Sequence, residues 1–178
     1  MRKVLIVVDM QKDFVDGSLG TPEAVEIVDR VREKILSYPK ENVYATLDTH
    51  QENYHESQEG RCLPVPHCIE GTEGWMLVPQ LREVLKGAVI VTKPCFGSVT
   101  LAKMLEKEDE KEPISVELVG LCTDICVIAN AILIKSFMPE VPVSVDASCC
   151  AGVTLAKHEA ALEVMRSCQI EVVNGDSH

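Results

Sequence analysis

Apolar residues fall along this chain in short continuous runs, separated by stretches with helical spacing. The runs are Val4–Val8, Val43–Leu47, Ala88–Val91, Val116–Val119, Val141–Val145 and Ile170–Val173. They are rich in Val and Ile, as strands covered on both faces are. Between them, Pro22–Leu36 carries a stripe at Val25, Val28, Val31 and Ile35. Thr21 fits as its N-cap and Pro22 as its first helical residue. Trp75–Leu85, Val99–Leu105, Ile125–Phe137 and Val153–Met165 also read as helices. Helices alternating with buried strands predict right-handed crossovers and an α/β fold. The expectation is a three-layer α/β/α domain with a mostly parallel six-stranded sheet and Rossmann-like topology.

Two segments break the alternation. Asp48–Gly74 is long and polar and holds three of the five histidines. A loop of that length inside a compact domain is usually functional. Glu106–Pro113 is a charge cluster, read as a solvated helix end and turn. No repeat, linker or low-complexity tract stands out, and 178 residues suit a single domain spanning 1–178. Charged residues are 25% of the chain and the net charge is −11, so nucleic acid and anionic membrane are expected not to be partners. No apolar run approaches the roughly 18 residues that span a bilayer. The opening MRKVLIVVDM has basic residues before an apolar run, but the run closes on an acid without a small-residue cleavage site. It reads as a core strand and the protein as cytoplasmic.

Eight cysteines, at 62, 68, 95, 122, 126, 149, 150 and 168, raise the question of disulfides or metal. A chain long enough to build a core needs no staples, so reduced thiols are expected. Cys122 and Cys126 lack a second pair at metal-ligand spacing, which argues against a zinc finger. Most of the eight are expected to be inert core thiols.

In an open parallel sheet, ligands bind beyond the carboxyl ends of the strands. Asp9 follows the first run, Asp48 and His50 the second, Lys93 the third, and Thr123 and Cys126 the fourth. An acid, a cation and a thiol thus converge from three strands. Cys126 would sit in a first helical turn, where free backbone N–H groups favour a thiolate and can hold an oxyanion. Asp9 would be the base and Lys93 the orienting charge. Each also has a simpler role: Asp9 capping a turn, Lys93 solvated before Pro94, Cys126 filling core. Position alone leaves the two accounts evenly matched. Asp48 and His50, two apart, point the same way in an extended segment. With His55, Glu59 and His67 downstream, they make a carboxylate-imidazole set suited to Zn, Fe or Mn, or a polar loop that happens to be rich in histidine.

Five ordered motifs with the opening strand make the chain resemble, end to end, the isochorismatase-like cysteine hydrolases, and within them the nicotinamidases. VVDMQKDFVDGSLG resembles the family's first strand, acid and substrate loop, and DTH its first metal-ligand pair. PVPHCIEGTEGW, TKPCFGS, VGLCTDICV and VDASCCAG resemble the histidine segment, the lysine segment, the nucleophile motif and the late strand end. The resemblance implies a triad of Asp9, Lys93 and Cys126, with Thr123 and Cys126 N–H groups as oxyanion hole. It implies a cis peptide before Thr123, placed at Cys122–Thr123. It implies one divalent metal, zinc foremost, on Asp48, His50 and His67, with Glu59 as a fourth ligand and His55 a weaker candidate. Gln11 and Phe14 match pocket-lining positions. The implied activity is hydrolysis of nicotinamide through a thioester on Cys126, in a homo-oligomer, serving NAD salvage or scavenging of an exogenous amide. One departure is Leu63–Pro66, where many nicotinamidases carry an aromatic residue that stacks on the pyridine ring. That departure keeps another small amide or ureide in play, and a non-catalytic domain that retains the fold is the alternative from a different class.

Overall fold

The computed structural model describes residues 1–175. Its centre is β1 (Arg2–Val8), in which Val4–Val8 have no exposed surface. Val4, Ile6 and Val8 enter the core on one face of the sheet, and Leu5 and Val7 on the other. That alternation is the strand's two-residue period, with both faces covered. β2 (Val43–Asp48), β3 (Val89–Lys93), β4 (Ile114–Leu121), β5 (Val143–Ala151) and β6 (Glu171–Val173) complete the sheet. The strand order is β3-β2-β1-β4-β5-β6 and every pairing is parallel.

The helices are α1 (Lys12–Val15), α2 (Pro22–Glu26), α3 (Val28–Leu36), α4 (Gln58–Cys62), α5 (Pro79–Arg82), α6 (Val99–Lys111), α7 (Ile128–Phe137) and α8 (Leu155–Ser167). Val28, Val31, Ile35 and Leu81 of α3 and α5 pack with Leu5 and Val7. Leu101, Leu105, Ile134 and Leu162 of α6, α7 and α8 pack with Val4, Ile6 and Val8. Two apolar layers around one parallel sheet are the expected three-layer α/β/α fold. No helix among the described residues is long and apolar enough to cross a membrane.

The elements differ from expectation in instructive ways. Pro22–Leu36 is two helices, because the chain resets at Ile27. Ile27 and Val28 turn inward there and Val25 is left 51% exposed, off the buried stripe. Thr21 caps as expected, its Oγ1 accepting the Ala24 N–H at 3.1 Å. Of Trp75–Leu85 only α5 is helical. Met76–Val78 is instead drawn out along Met10–Lys12, with Val78 N–H on the Met10 carbonyl at 3.0 Å and Lys12 N–H on the Met76 carbonyl at 2.9 Å. The charge cluster from Glu106 continues α6 to Lys111, so it is mostly helix rather than turn. β5 runs past Asp146 to Ala151, because after a register shift Cys150 and Ala151 pair with Gly120 and Leu121.

Candidate functional site

β3, β2, β1 and β4 are neighbours, so their carboxyl ends share one edge of the sheet. The strand order reverses between β1 and β4, which is where such folds bind ligands. Asp9 leaves β1 in the left-handed region, at φ 46. It is held there by its N–H on the Thr46 carbonyl at 3.2 Å and by the Thr46 hydroxyl, which donates to Asp9 Oδ1 at 2.6 Å. A non-glycine residue in that conformation is strained, and such residues cluster at functional sites. Across β1, Gly120 has φ +117, and a Cβ there would collide with the Val8 carbonyl, so this position needs glycine.

Asp48 and Lys93 are register partners at the ends of β2 and β3. Lys93 Nζ lies 2.6 Å from Asp9 Oδ2, 3.3 Å from Asp48 Oδ1 and 3.4 Å from Cys126 Sγ, and donates to the Cys95 carbonyl at 3.1 Å. Asp9, Lys93 and Cys126 are all buried, with exposures of 0%, 1% and 5%. The three residues singled out from separate strands therefore meet around one ammonium. Burial disfavours the Lys93 charge, but Asp9, Cys126 and Asp48 outweigh it and hold the ammonium well above its ordinary pKa. Burial raises the Asp9 carboxyl, against the pull of Lys93.

Cys126 departs from expectation in its charge. Burial and the neighbouring Asp9 carboxylate push its thiol well above the ordinary range, and Lys93 only partly offsets them. A resting thiolate poised by a helix dipole is not what this geometry holds. Burial and Asp9 together outweigh Lys93, which favours the neutral thiol beside a base. Its turn is also not the start of a regular helix. Thr123–Val127 winds wide, with Val127 N–H reaching the Cys122 carbonyl five residues back at 3.1 Å, before α7 begins. Wide turns of this kind occur often at functional sites. The non-proline cis peptide is Leu121–Cys122 rather than Cys122–Thr123. The Cys122 carbonyl already accepts the Ile125 and Val127 N–H groups, so Cys122–Thr123 is the opening peptide of the helical turn and the cis bond falls one residue earlier.

The second constellation adjoins the first. One ligand atom each from Asp48, His50, Glu59 and His67 lie within 4.8 Å of one another. Asp48 Oδ2 is 3.0 Å from His50 Nε2 and 3.6 Å from His67 Nε2, and Glu59 Oε1 is 3.7 and 3.5 Å from the same two nitrogens. Four ligands at about 2.1 Å from a tetrahedral ion are separated by about 3.4 Å, so these donors fit one small divalent ion such as zinc. His67 Nδ1 is bonded to the Val65 carbonyl at 2.9 Å, which leaves Nε2 as the nitrogen turned to the other donors. Burial opposes ionisation of Asp48, yet bonds from His50 and His67 hold its carboxyl below the usual carboxylate range. Burial likewise opposes charging of His67, but Asp48 and Glu59 raise it to about 10. A site that draws a proton so strongly also favours a cation in its place.

The long loop is folded to bring these groups together. His50 N–H bonds the Cys68 carbonyl at 3.0 Å, and Glu70 N–H bonds the His50 carbonyl at 2.9 Å, tying the DTH stretch to the His67 stretch. Ser57 caps α4, which carries Glu59. His55 is exposed and stands outside the cluster. Phe14 is buried and its ring lies 5.4 Å from that of His67. Gln11 is fully buried and its amide is taken up by backbone: Nε2 donates to the Asp48 and Trp75 carbonyls and Oε1 accepts the Asp48 N–H, at 2.7–2.8 Å. Thr123 is buried with its hydroxyl 2.7 Å from His158 Nδ1.

Sequence reasoning passed over several supports. Tyr54 packs edge-on against His50 and His67 at 5.0 and 5.2 Å, and its hydroxyl donates to the Leu63 carbonyl at 2.8 Å. Asp13 accepts the Cys68 N–H at 2.8 Å. Asn130, buried in apolar α7, donates to the Cys126 carbonyl at 2.7 Å and accepts the Ser98 N–H at 2.9 Å. An asparagine inside so apolar a helix was the available signal. All eight cysteines are free, with Cys62 and Cys95 exposed. Burial pushes the Cys122 thiol up to about 12 and the Cys149 thiol up to about 11.

This geometry has close counterparts. Residues 3–177 match the Isochorismatase domain family. Nicotinamidase of Saccharomyces cerevisiae is 29% identical over 176 residues, covering 73% of this chain and 80% of that protein. An uncharacterized isochorismatase family protein, PncA of Bacillus subtilis, is 32% identical over 146 residues, covering 74% and 78%. The crystal structure of the pyrazinamidase of Pyrococcus horikoshii in complex with zinc superposes with a TM-score of 0.80 at 31% identity, covering 98% of this chain and all of that one. With the fold, the buried Asp-Lys-Cys group and the match over nearly its whole length in agreement, the chain belongs to the isochorismatase family.

Proposed function

We propose that this chain is a hydrolase of carboxamide C–N bonds that converts nicotinamide and water to nicotinate and ammonia. The observation that carries this reading is the Lys93 ammonium, 3.4 Å from the Cys126 sulfur and 2.6 Å from the Asp9 carboxylate, at the edge of a four-donor metal-type cluster. The nicotinamidase and zinc-bound pyrazinamidase among its relatives support it.

In this reading Asp9 takes the Cys126 proton as sulfur attacks the amide carbon. The thiol is neutral at rest, so proton removal is concerted with attack rather than complete beforehand. Lys93 stabilises negative charge as it forms on sulfur, and its own charge is secured by Asp9 and Asp48. Backbone N–H groups of the nucleophile turn, those of Thr123 and Cys126, receive the oxyanion. Asp9 returns the proton to the departing ammonia, leaving a thioester. It then takes a proton from the water that attacks the thioester and returns it to the departing Cys126 sulfur, releasing the acid and restoring the thiol. Asp48, His50, His67 and Glu59 would hold one divalent ion, zinc foremost. When bound, that ion offers a Lewis-acid contact that orients a substrate ring nitrogen or a water. Phe14 flanks His67, and Gln11 fixes the backbone of Asp48. The reading carries with it a cytoplasmic homo-oligomer that acts on a small amide without nucleic acid or membrane.

A second reading, a different small amide or ureide, is favoured by Leu63–Pro66, which offers no aromatic ring before His67. Trp75 is held in place by its Nε1–H on the Thr49 hydroxyl at 2.9 Å and by its carbonyl, which accepts from Gln11. Ammonia release from nicotinamide by the metal-loaded protein, absent in Cys126→Ala, is the expected result. No release from metal-loaded wild type overturns nicotinamide as substrate.

A further inference from the structure

We propose that His158 is a positioning residue for the nucleophile: through the Thr123 hydroxyl it fixes the turn that presents Cys126 to Lys93 and Asp9. The proposal rests on the reading of Cys126 as nucleophile and gives a role to the VDASCCAG segment and the helix after it, which the proposed chemistry leaves unused.

Two consecutive side chains at the front of the turn reach across to the segment that joins β5 to α8. Thr123, with no exposed surface, meets His158 Nδ1 at 2.7 Å through its hydroxyl. Asp124 Oδ1 accepts the Val153 N–H at 2.9 Å. The approach is close enough to require glycine at 152, because a Cβ there would lie 2.9 Å from both Asp124 Oδ1 and the His158 nitrogen. His158 itself is fixed on the first turns of α8, its N–H bonding the carbonyl of Thr154, the residue that caps the helix.

The rear of the turn is held differently. Asn130 donates to the Cys126 carbonyl at 2.7 Å, while the Ile125 and Val127 N–H groups bond back to the Cys122 carbonyl within the turn itself. A wide turn pinned at its rear alone would leave its first residues free to shift, and with them the N–H groups proposed for the oxyanion. Burial lowers the His158 pKa, with Glu159 and Asp124 opposing, so the ring is neutral at neutral pH. A neutral ring either accepts the Thr123 O–H at Nδ1 or donates to its oxygen, and either bond sets the direction of that hydroxyl. A cavity of about 130 Å³ lies beside the ring, lined also by Glu23, Glu26, Arg30 and Gly152. Side chains no larger than histidine therefore fit at 158. Misplacing reacting groups by about 1 Å can cost about 100-fold in rate, so a clasp of this kind acts on turnover more than on binding.

The test compares His158→Leu, His158→Asn, Thr123→Val and the double variant Thr123→Val with His158→Leu. In His158→Asn the side-chain amide oxygen reaches the place of Nδ1 and can accept the same O–H. His158→Leu is expected to lower kcat for nicotinamide by about tenfold with KM within about twofold, and His158→Asn to recover most of the loss. The double variant is expected to be no slower than the worse single one, because both remove the same bond. A second readout needs no turnover: iodoacetamide alkylation followed on the Cys126 peptide by mass, expected to change by about threefold or more in His158→Leu and to return in His158→Asn. Wild-type kcat and alkylation in His158→Leu overturn the proposal. So do losses that multiply in the double variant, or a His158→Asn that stays as impaired as His158→Leu. If His158→Leu fails to fold, His158→Asn against Thr123→Val decides: the first near wild type and the second impaired supports the clasp, and equal behaviour overturns it. Failure of wild type to hydrolyse nicotinamide removes the functional reading, while the alkylation comparison still decides the clasp.

Discussion

Replacing Lys93 by methionine keeps the length of the side chain and removes only the ammonium. Unit charges 3.4 Å apart at an effective dielectric of about 20 attract by about 5 kcal/mol. If sulfur carries between half and all of a negative charge at the transition state, Lys93 contributes about 2.5–5 kcal/mol there. At about 1.4 kcal/mol per factor of ten, Lys93→Met should lower kcat/KM between about 50-fold and a few thousand-fold. The same change strands the buried Asp9 carboxylate, and breaking a buried ion pair costs about 3–5 kcal/mol of stability. The folded fraction must therefore be checked at the assay temperature by thermal melting. Metal content separates the two effects of the substitution. Of the four donors only Asp48 touches Lys93, and losing the ammonium leaves its carboxylate more negative toward His50 and His67, so metal stoichiometry should survive while turnover falls. A loss of kcat/KM smaller than about fivefold in folded, metal-loaded protein refutes the assignment of Lys93 to charge stabilisation at sulfur. Activity that tracks metal loss instead would place Lys93 in the metal site.

His50→Ala should weaken metal binding by at least about 10–100-fold and raise KM with it, read by metal analysis and ammonia release; unchanged metal content and KM would show that the four-donor cluster holds no ion. The pair of Lys34 and Asp146, 2.6 Å apart on the α3 face of the sheet, predicts a pH dependence of stability. Burial opposes the Asp146 charge, but bonds from Lys34, Ser148 and Asn174 outweigh it and lower its pKa below 3.8. A carboxyl lowered on folding stabilises fully above its unfolded pKa and loses that contribution as pH falls through the folded one. The Tm advantage of wild type over Asp146→Asn should hold at pH 6 and shrink below pH about 4. An advantage that stays constant down to pH 3 would mean that Asp146 acts by shape rather than charge.

The parallel sheet and the placement of the site at its edge were legible because fully buried strands write continuous apolar runs, as Val4–Val8 do. Asp9, Lys93 and Cys126 could be singled out because each comes soon after such a run along the chain. Helix limits were less legible where tertiary contacts overrode the stripe. Met76–Val78 has helical spacing, but the backbone of Met10–Lys12 needs partners and takes it. Chemistry set by burial was not legible at all. A sequence shows a cysteine near a helix start; it does not show that Cys126 is 5% exposed beside a carboxylate, which raises its thiol pKa. Thr46, Tyr54 and His158 were invisible for a related reason. Each acts through contacts with partners well away along the chain, whereas Asn130 left a signal, a polar residue in an apolar helix.

The sequence presents a triad and a metal-type cluster as separate patterns, and Asp48 joins them. Its Oδ1 faces Lys93 at 3.3 Å while its Oδ2 faces His50 and His67. One carboxylate thus helps keep Lys93 charged and supplies a donor to the cluster. Gln11 holds both the N–H and the carbonyl of Asp48, so neither side can shift without the other. An ion drawing on Oδ2 would withdraw charge from Oδ1 and loosen its hold on Lys93, leaving the ammonium freer to attend to sulfur. The two constellations are therefore one electrostatic unit. Metal loading and the behaviour of Cys126 should change together, even though the sulfur is not among the four donors of the cluster.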